Sequence, residues 1–375
     1  MAEFESQLGR RLPGVRTGRR HFLKLSAGAL SGLMLSNCRR GLSDVQAGGD
    51  GRSDLLEIYS WAAYTDDEVI RAFQDQTGIE VRVTLYDSNE TMLAKLQAGG
   101  GGSFSIVYPS DYAVQEMLSL EMLAPLDKSQ IQGLDNLLPN WVNPGYDPDN
   151  AHSVPFAWGT TGLVYNRQSL NPPPTDWDYL WQSRADLTRQ VTLLNDVREV
   201  MGAALKSLGY SYNSTNPQEI EAAYQRLVEI RPTLASFTTD AWQDQILAGD
   251  LAVAMGYSSD AIAVREDDPD LVYIVPDSGA SLWTDTMAIL KTAPNPEAAY
   301  AWINFQLDPQ NAARNVEKFN FATPVRPAIE LLPPELQANQ NLFPSEEVLS
   351  RCESIAPVGD AVDLYDRYWT MLTSA

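Results

Sequence analysis

The sequence predicts an α/β fold of two lobes, each assembled from interrupted stretches of chain and joined by crossing strands. Three observations carry this expectation. Residues 55–108 alternate strand-like and helix-like periods in the order β-α-β-α-β, which implies a parallel sheet covered by helices. A second β-α series opens near Val191, beyond a proline-punctuated passage. Between and after these series, residues 160–166 and 283–289 have strand character and read as the crossings. A chain of 375 residues, 44% hydrophobic and 20% charged, is long enough to bury two cores. Residues 53–155 with 285–328 are expected to form the first lobe, and 156–284 with 329–375 the second.

Residues 55–59 read as a buried strand. Thr65-Asp66-Asp67-Glu68 has capping-box spacing, and Val69, Ile70, Ala72 and Phe73 share one helical face before Gly78 stops the helix. Ile79, Val81, Val83 and Leu85 alternate with Glu80, Arg82 and Thr84, the period of a half-buried strand. Residues 92–96 form a short helix, 99–102 a glycine surface loop and 105–108 a strand. Prolines 125, 139, 144 and 148 mark a loop-rich passage that runs to His152. In the second series, 191–194 is a strand, Asn195-Asp196 opens a helix, and Asn216-Pro217-Gln218-Glu219 opens another that runs to Ile230. A further helix ends at 246–250, residues 252–256 form a strand, 296–307 an amphipathic helix, and 330–375 are mostly helical.

The first 52 residues read as an export signal and linker. Arg19-Arg20-His21-Phe22-Leu23-Lys24, with the apolar and small run 25–35, matches a twin-arginine signal. That run is shorter than the roughly 20 apolar residues of a membrane span. Leu35-Ser36-Asn37-Cys38 resembles a lipoprotein box that would make Cys38 a lipid anchor, while Val45-Gln46-Ala47 offers a competing cut that would release a soluble periplasmic form. Residues 1–40 hold eight Lys/Arg against two Glu, so the remainder carries a formal charge of −28, against −22 for the whole chain. Such a surface repels nucleic acid and concentrates cations. Cys38 and Cys352 are the two cysteines, so no disulfide framework is expected. His152 is the one histidine beyond the signal; with no Cys/His cluster and no phosphate loop, neither metal nor cofactor is expected.

The most informative stretch is Tyr59-Ser60-Trp61-Ala62-Ala63-Tyr64, where the first strand gives way to a turn. Four other places set an aromatic beside an acid or a hydroxyl: Ser110 to Tyr112, Asp196 to Glu199, Tyr257 to Asp260, and Trp283 to Asp285. Rings attract cations through their faces and carboxylates bind ammonium groups by charge-assisted hydrogen bonds. A box of rings with carboxylates at its ends therefore implies an organic polycation. Asp196 and Glu199 stand three apart and share one side of a first helical turn, an arrangement that also serves the helix dipole.

Tyr59 to Tyr64, Tyr86-Asp87-Ser88-Asn89-Glu90-Thr91-Met92, Pro109-Ser110-Asp111-Tyr112, Ser153-Val154-Pro155-Phe156, Asp196-Val197-Arg198-Glu199-Val200, Trp283-Thr284-Asp285 and Ala322-Thr323-Pro324 resemble the bacterial spermidine/putrescine-binding proteins of ABC importers, over residues 56–372. The resemblance implies a type II periplasmic binding protein fold that closes on a linear polyamine and delivers it to an inner-membrane permease. It also implies that Trp61, Tyr64, Tyr257 and Trp283 flank the methylene chain, that Ser110 and Tyr112 line the first lobe, and that Asp196, Glu199 and Asp285 meet amino groups. Asp260 is similar to an acid of putrescine-binding relatives. Ala62, Phe321 and Ile355 depart from the spermidine pattern by removing polar groups, so putrescine is expected to compete measurably with spermidine. A monomer is expected.

An enzyme on the same fold is the rival from another class, since a fold does not fix a function; no nucleophile-base pair is legible, and His152, before the first crossing, reads as packing or surface. A receptor for another cationic solute, ferric iron or thiamine among them, is the rival within the class.

Overall fold

A computed structural model of the chain describes residues 54–374. The export signal, Arg19-Arg20, Cys38 and the 45–47 site lie outside the described residues.

The first lobe begins with β1 (Leu55–Ser60), α1 (Asp67–Thr77), β2 (Glu80–Leu85), α2 (Asn89–Gln97), β3 (Ile106–Val107) and α3 (Asp111–Ser119). β2, β1 and β3 are parallel neighbours. The strand β4 (Ser153–Asn166) then leaves this lobe. Beyond it come α4 (Tyr179–Gln182), β5 (Val191–Leu193), α5 (Val197–Ser207), α6 (Pro217–Ile230), β6 (Leu234–Phe237), α7 (Trp242–Leu247), β7 (Val253–Tyr257), α8 (Ser258–Asp267) and β8 (Leu271–Ile274). β9 (Leu282–Ile289) returns, followed by α9 (Pro296–Leu307), α10 (Pro309–Phe319), α11 (Arg326–Leu331), α12 (Pro334–Gln337), α13 (Glu346–Leu349) and α14 (Val362–Thr373).

The two crossings bind the lobes into one ladder, ordered β2-β1-β3-β9-β4-β7-β5-β6, with β8 on β4. Residues 153–160 of β4 pair antiparallel with β9, and residues 161–166 pair with β7 and β8. β4 thus starts at Ser153 rather than at 160 as expected. Pro155 disguised its first half, and the register shifts between Pro155 and Ala157. There β4 has β9 on one side only, and an edge strand tolerates a residue that lacks an N–H.

Other departures from expectation are local. The cap of α1 is Asp66, not Thr65: Asp66 Oδ1 accepts from the amides of Glu68 and Val69 at 2.9 Å each, a cap worth about 1 kcal/mol. Gly78 does end that helix, at φ 73°, where only glycine is unstrained. α2 starts at Asn89 rather than 92, because the Ser88 hydroxyl accepts from Thr91 N at 3.1 Å. Gly100–Ser103 closes a 3-10 turn. Beyond residue 330 the helices are short, apart from α14.

Four buried hydrophobic clusters result among the described residues, and the two largest are rich in aromatic residues. In the first, Trp302 is fully buried with its ring centroid 4.9 Å from that of Phe73, and its indole donates to Tyr108 OH at 2.6 Å. The second packs Trp177, Leu227 and Tyr365 against β5 and β7. Leu332 and Leu342 belong to the first core and Val358 to Leu372 to the second. The tail therefore changes lobes between 342 and 358, not at 329.

Candidate functional site

Parallel strands place ligands beyond their carboxyl ends, and the chain uses that edge in both lobes. β1 runs out into the turn bearing Trp61 and Tyr64, and β3 into Ser110 at the start of α3. β5 leads to Asp196 at the start of α5, and β7 delivers Tyr257 and then Asp260 in the first turn of α8. β9 contributes Trp283 and Asp285 as it crosses. These ends converge on one cleft of about 200 Å³, and all ten residues singled out in the sequence, Glu199 included, line it.

Asp285 is the polar centre of the first-lobe wall. It is buried, and its Oδ1 accepts from Ser110 Oγ at 2.5 Å while Oδ2 accepts from Tyr64 OH. Asn89 supports this wall from behind: its amide nitrogen donates to Ser110 Oγ at 3.0 Å and to Tyr112 OH at 2.9 Å, and its oxygen accepts from Ser110 N at 3.2 Å. Burial pushes the Asp285 carboxyl up to about 6, with the bonds from Ser110 and Tyr64 opposing it. Tyr64, expected as an apolar flank, thus gives its hydroxyl to Asp285 while its ring packs on Phe156 and Phe321.

Trp61 rests on Tyr86 with centroids 4.6 Å apart and donates its indole N–H to Tyr108 O at 2.9 Å. Trp283 meets Tyr257 edge-on at 5.9 Å. Its ring packs closely on Gly159, where an added Cβ would stand 2.3 Å from Trp283 Cζ2. Only a residue without a side chain leaves the indole in that place.

On the second lobe Asp196 caps α5, its Oδ1 accepting from the amides of Arg198 at 2.8 Å and Glu199 at 3.0 Å. The helix-capping reading and the cleft-lining reading of Asp196 therefore both hold. Glu199 is more committed than expected: it accepts from Thr161 on β4 at 3.0 Å, from Ser281 just before β9 at 2.8 Å, and from Tyr212 at 2.7 Å. Burial, then the charge of Asp196, raises its carboxyl to about 7. Glu199 thus sits between the two crossings, bonded to β4 through Thr161 and to the residue before β9, Ser281. Asp260 has no hydrogen-bond partner among the described residues, and burial, then the charge of Asp240, raises it to about 7.

Ala62 and Ile355, read as departures from the spermidine pattern, line the cleft, whereas Phe321 packs behind Tyr64. The sequence reading missed Asp111 and Asn89, although both stand in stretches it singled out, and it missed the cleft acids Asp87 and Asp240. His152 lies apart from the cleft, where its amide donates to Asp147 at 2.9 Å. Among the described residues no group of three or more His, Cys, Asp or Glu could hold a metal, and no helix is long and apolar enough to cross a membrane.

A two-lobe sheet with paired crossings and a cleft between strand ends defines a solute-binding protein. The family model for bacterial extracellular solute-binding protein matches residues 68–344, and the chain belongs to that family. It is 36% identical to the spermidine/putrescine-binding periplasmic protein of Salmonella typhimurium, over 85% of this chain and 92% of that one. It is 31% identical to a putrescine/cadaverine-binding protein of Pseudomonas aeruginosa, over 81% and 88%. The crystal structure of the Tp0655 (TpPotD) lipoprotein of Treponema pallidum is 30% identical and superposes with a TM-score of 0.79, over 86% of this chain and 100% of that one.

Proposed function

We propose that this chain is the polyamine receptor of an ABC importer, binding spermidine, putrescine or both and presenting them to an inner-membrane permease. One observation carries the reading. Asp87, Asp111, Asp196, Glu199, Asp240, Asp260 and Asp285 all line the cleft, and among the described lining residues none is Lys, Arg or His. A cavity so walled by acids is costly until cations enter it. Trp61, Tyr64, Tyr257 and Trp283 add ring faces suited to methylenes and ammonium groups, which favours a flexible organic cation over a metal ion. The relatives named for spermidine, putrescine and cadaverine support the same ligand class.

In this reading Asp285 holds one terminal ammonium, Asp196 or Asp260 holds the other, and the receptor acts as a non-catalytic monomer outside the cytoplasmic membrane. Cleavage before Cys38 leaves a lipid anchor, and cleavage after Ala47 leaves a soluble form; the mass of the mature N-terminus distinguishes them. Protein unfolded, stripped of ligand and refolded is titrated by calorimetry with spermidine, putrescine, cadaverine, thiamine and ferric ion. One-to-one binding of a polyamine supports the reading. Binding of thiamine or iron alone, or turnover of a polyamine, contradicts it.

A further inference from the structure

Asp111 opens α3 beside Ser110 and is 1% exposed. Its Oδ1 accepts from Tyr112 N at 2.8 Å. Its Oδ2 is buried with no hydrogen-bond partner, and among the described residues it is the one buried carboxylate oxygen so placed. The Tyr146 hydroxyl is likewise buried and unpartnered, and Tyr146 shares a core cluster with Tyr112, the neighbour of Asp111. The basic side chain in the vicinity, Arg198, donates through Nη2 to Asn213 Oδ1 at 3.0 Å and to Ala356 O at 2.8 Å and lies over Tyr365 and Tyr112, while its Nε is buried without a partner. Burial holds the Asp111 carboxyl well above the usual range, with the nearby charges of Asp285 and Glu199 adding to the effect.

A diamine has two ammonium groups, and Asp285 on one side with Asp196 or Asp260 on the other satisfies both. Asp111 adds a further acid to the cleft lining, and among those acids it is the one with a buried, unpartnered oxygen that a third cation would satisfy. The same wall lacks a polar group at Ile355, which lines the cleft and shares its core cluster with Tyr112 and Tyr146. We propose, resting on the polyamine reading, that Asp111 is a specificity-determining residue whose Oδ2 accepts from the inner, secondary ammonium of a triamine. A buried acceptor discriminates through the cost of leaving it unpaired. The cleft can therefore accept diamines while rewarding a ligand with a cation within its chain.

Two titrations test this. The unaltered protein is measured with spermidine and with 1,8-diaminooctane, which replaces the inner ammonium by a methylene at the same chain length. Spermidine is expected to bind at least tenfold more tightly. Asp111→Asn is then measured with spermidine and putrescine, and the ratio of the two affinities is expected to fall at least fivefold, with a melting temperature no lower than before. Equal affinity for spermidine and its carbon analogue, or an unchanged ratio in the variant, overturns the role of Asp111 and leaves the polyamine reading standing. Binding of neither spermidine nor putrescine by the unaltered protein overturns both.

Discussion

The hydroxyl of Ser110 donates to Asp285 Oδ1 at 2.5 Å, joining the end of β3 to the second crossing strand across 175 positions of sequence. The bond fixes the carboxylate in the cleft wall and leaves it able to receive an ammonium group. Asp285→Asn keeps the shape and removes the charge, and a charge-assisted bond in an enclosed site is worth about 1.5–3 kcal/mol. Polyamine affinity is expected to drop roughly tenfold to 150-fold in calorimetry. Trp302→Phe, in the first core and away from the cleft, is expected to cost stability and leave affinity within about threefold.

Acid is expected to weaken polyamine binding. Asp285 is raised to about 6 and Asp260 to about 7, so both take up protons as pH falls from 8 to 5 and lose attraction for cations. The empty protein responds in the opposite sense. Both carboxyls hold a proton more tightly folded than unfolded, where a carboxyl titrates near 4. They contribute stability that is fully present below that value and lost as pH rises through 6 to 7. Thermal melts between pH 8 and 5 should show the empty protein gaining from these groups as the ligand-induced increment shrinks. An increment that grows toward pH 5 would remove ionised carboxylates from the account.

Gly159→Ala places a methyl 2.3 Å from Trp283 Cζ2 and 2.6 Å from Ser258 Oγ. The ring has to leave its seat, at a cost typical of overpacking, about 1–3 kcal/mol. Melting temperature and polyamine affinity should fall together. A fall in stability with affinity intact would show that the Trp283 face contributes nothing to the ligand.

Asp260 bears on ligand preference. It lines the cleft with no hydrogen-bond partner among the described residues, while Ala62 and Ile355 offer the ligand no polar side chain. Putrescine at roughly a hundredfold excess, which offsets about 2.7 kcal/mol, is expected to displace spermidine, and Asp260→Asn is expected to impair that displacement. Failure of the unaltered protein to release spermidine under these conditions would show that these positions do not set the preference.

Much of this site was legible because its residues stand where strands end, and strand ends are visible as breaks in hydrophobic period. Trp61, Asp196 and Tyr257 were found in that way, and Asp285 as an acid two residues from Trp283 on a crossing strand. Asp111 was passed over because the helix it opens, α3, was not read from the sequence, and only burial with an unpaired oxygen sets the residue apart. The commitment of Glu199 to Thr161, Ser281 and Tyr212 depends on contacts that span 13 to 82 positions, which no local pattern reveals. β4 was half hidden because Pro155 signals a loop until its edge position is known. β6, β8 and α10 went unread as well; the two strands are four residues each, too short for a period to declare itself.

The central claim is that a cleft lined by acids and free of bases among its described residues selects its ligand by positive charge. Titration with putrescine and, in parallel, with 1,4-butanediol tests it directly, since the diol has the same carbon chain and hydrogen-bonding ends without charge. Putrescine is expected to bind one to one and the diol to give no heat at a thousandfold higher concentration. Comparable affinity for the two would contradict the claim, because shape and hydrogen bonding alone would then account for recognition.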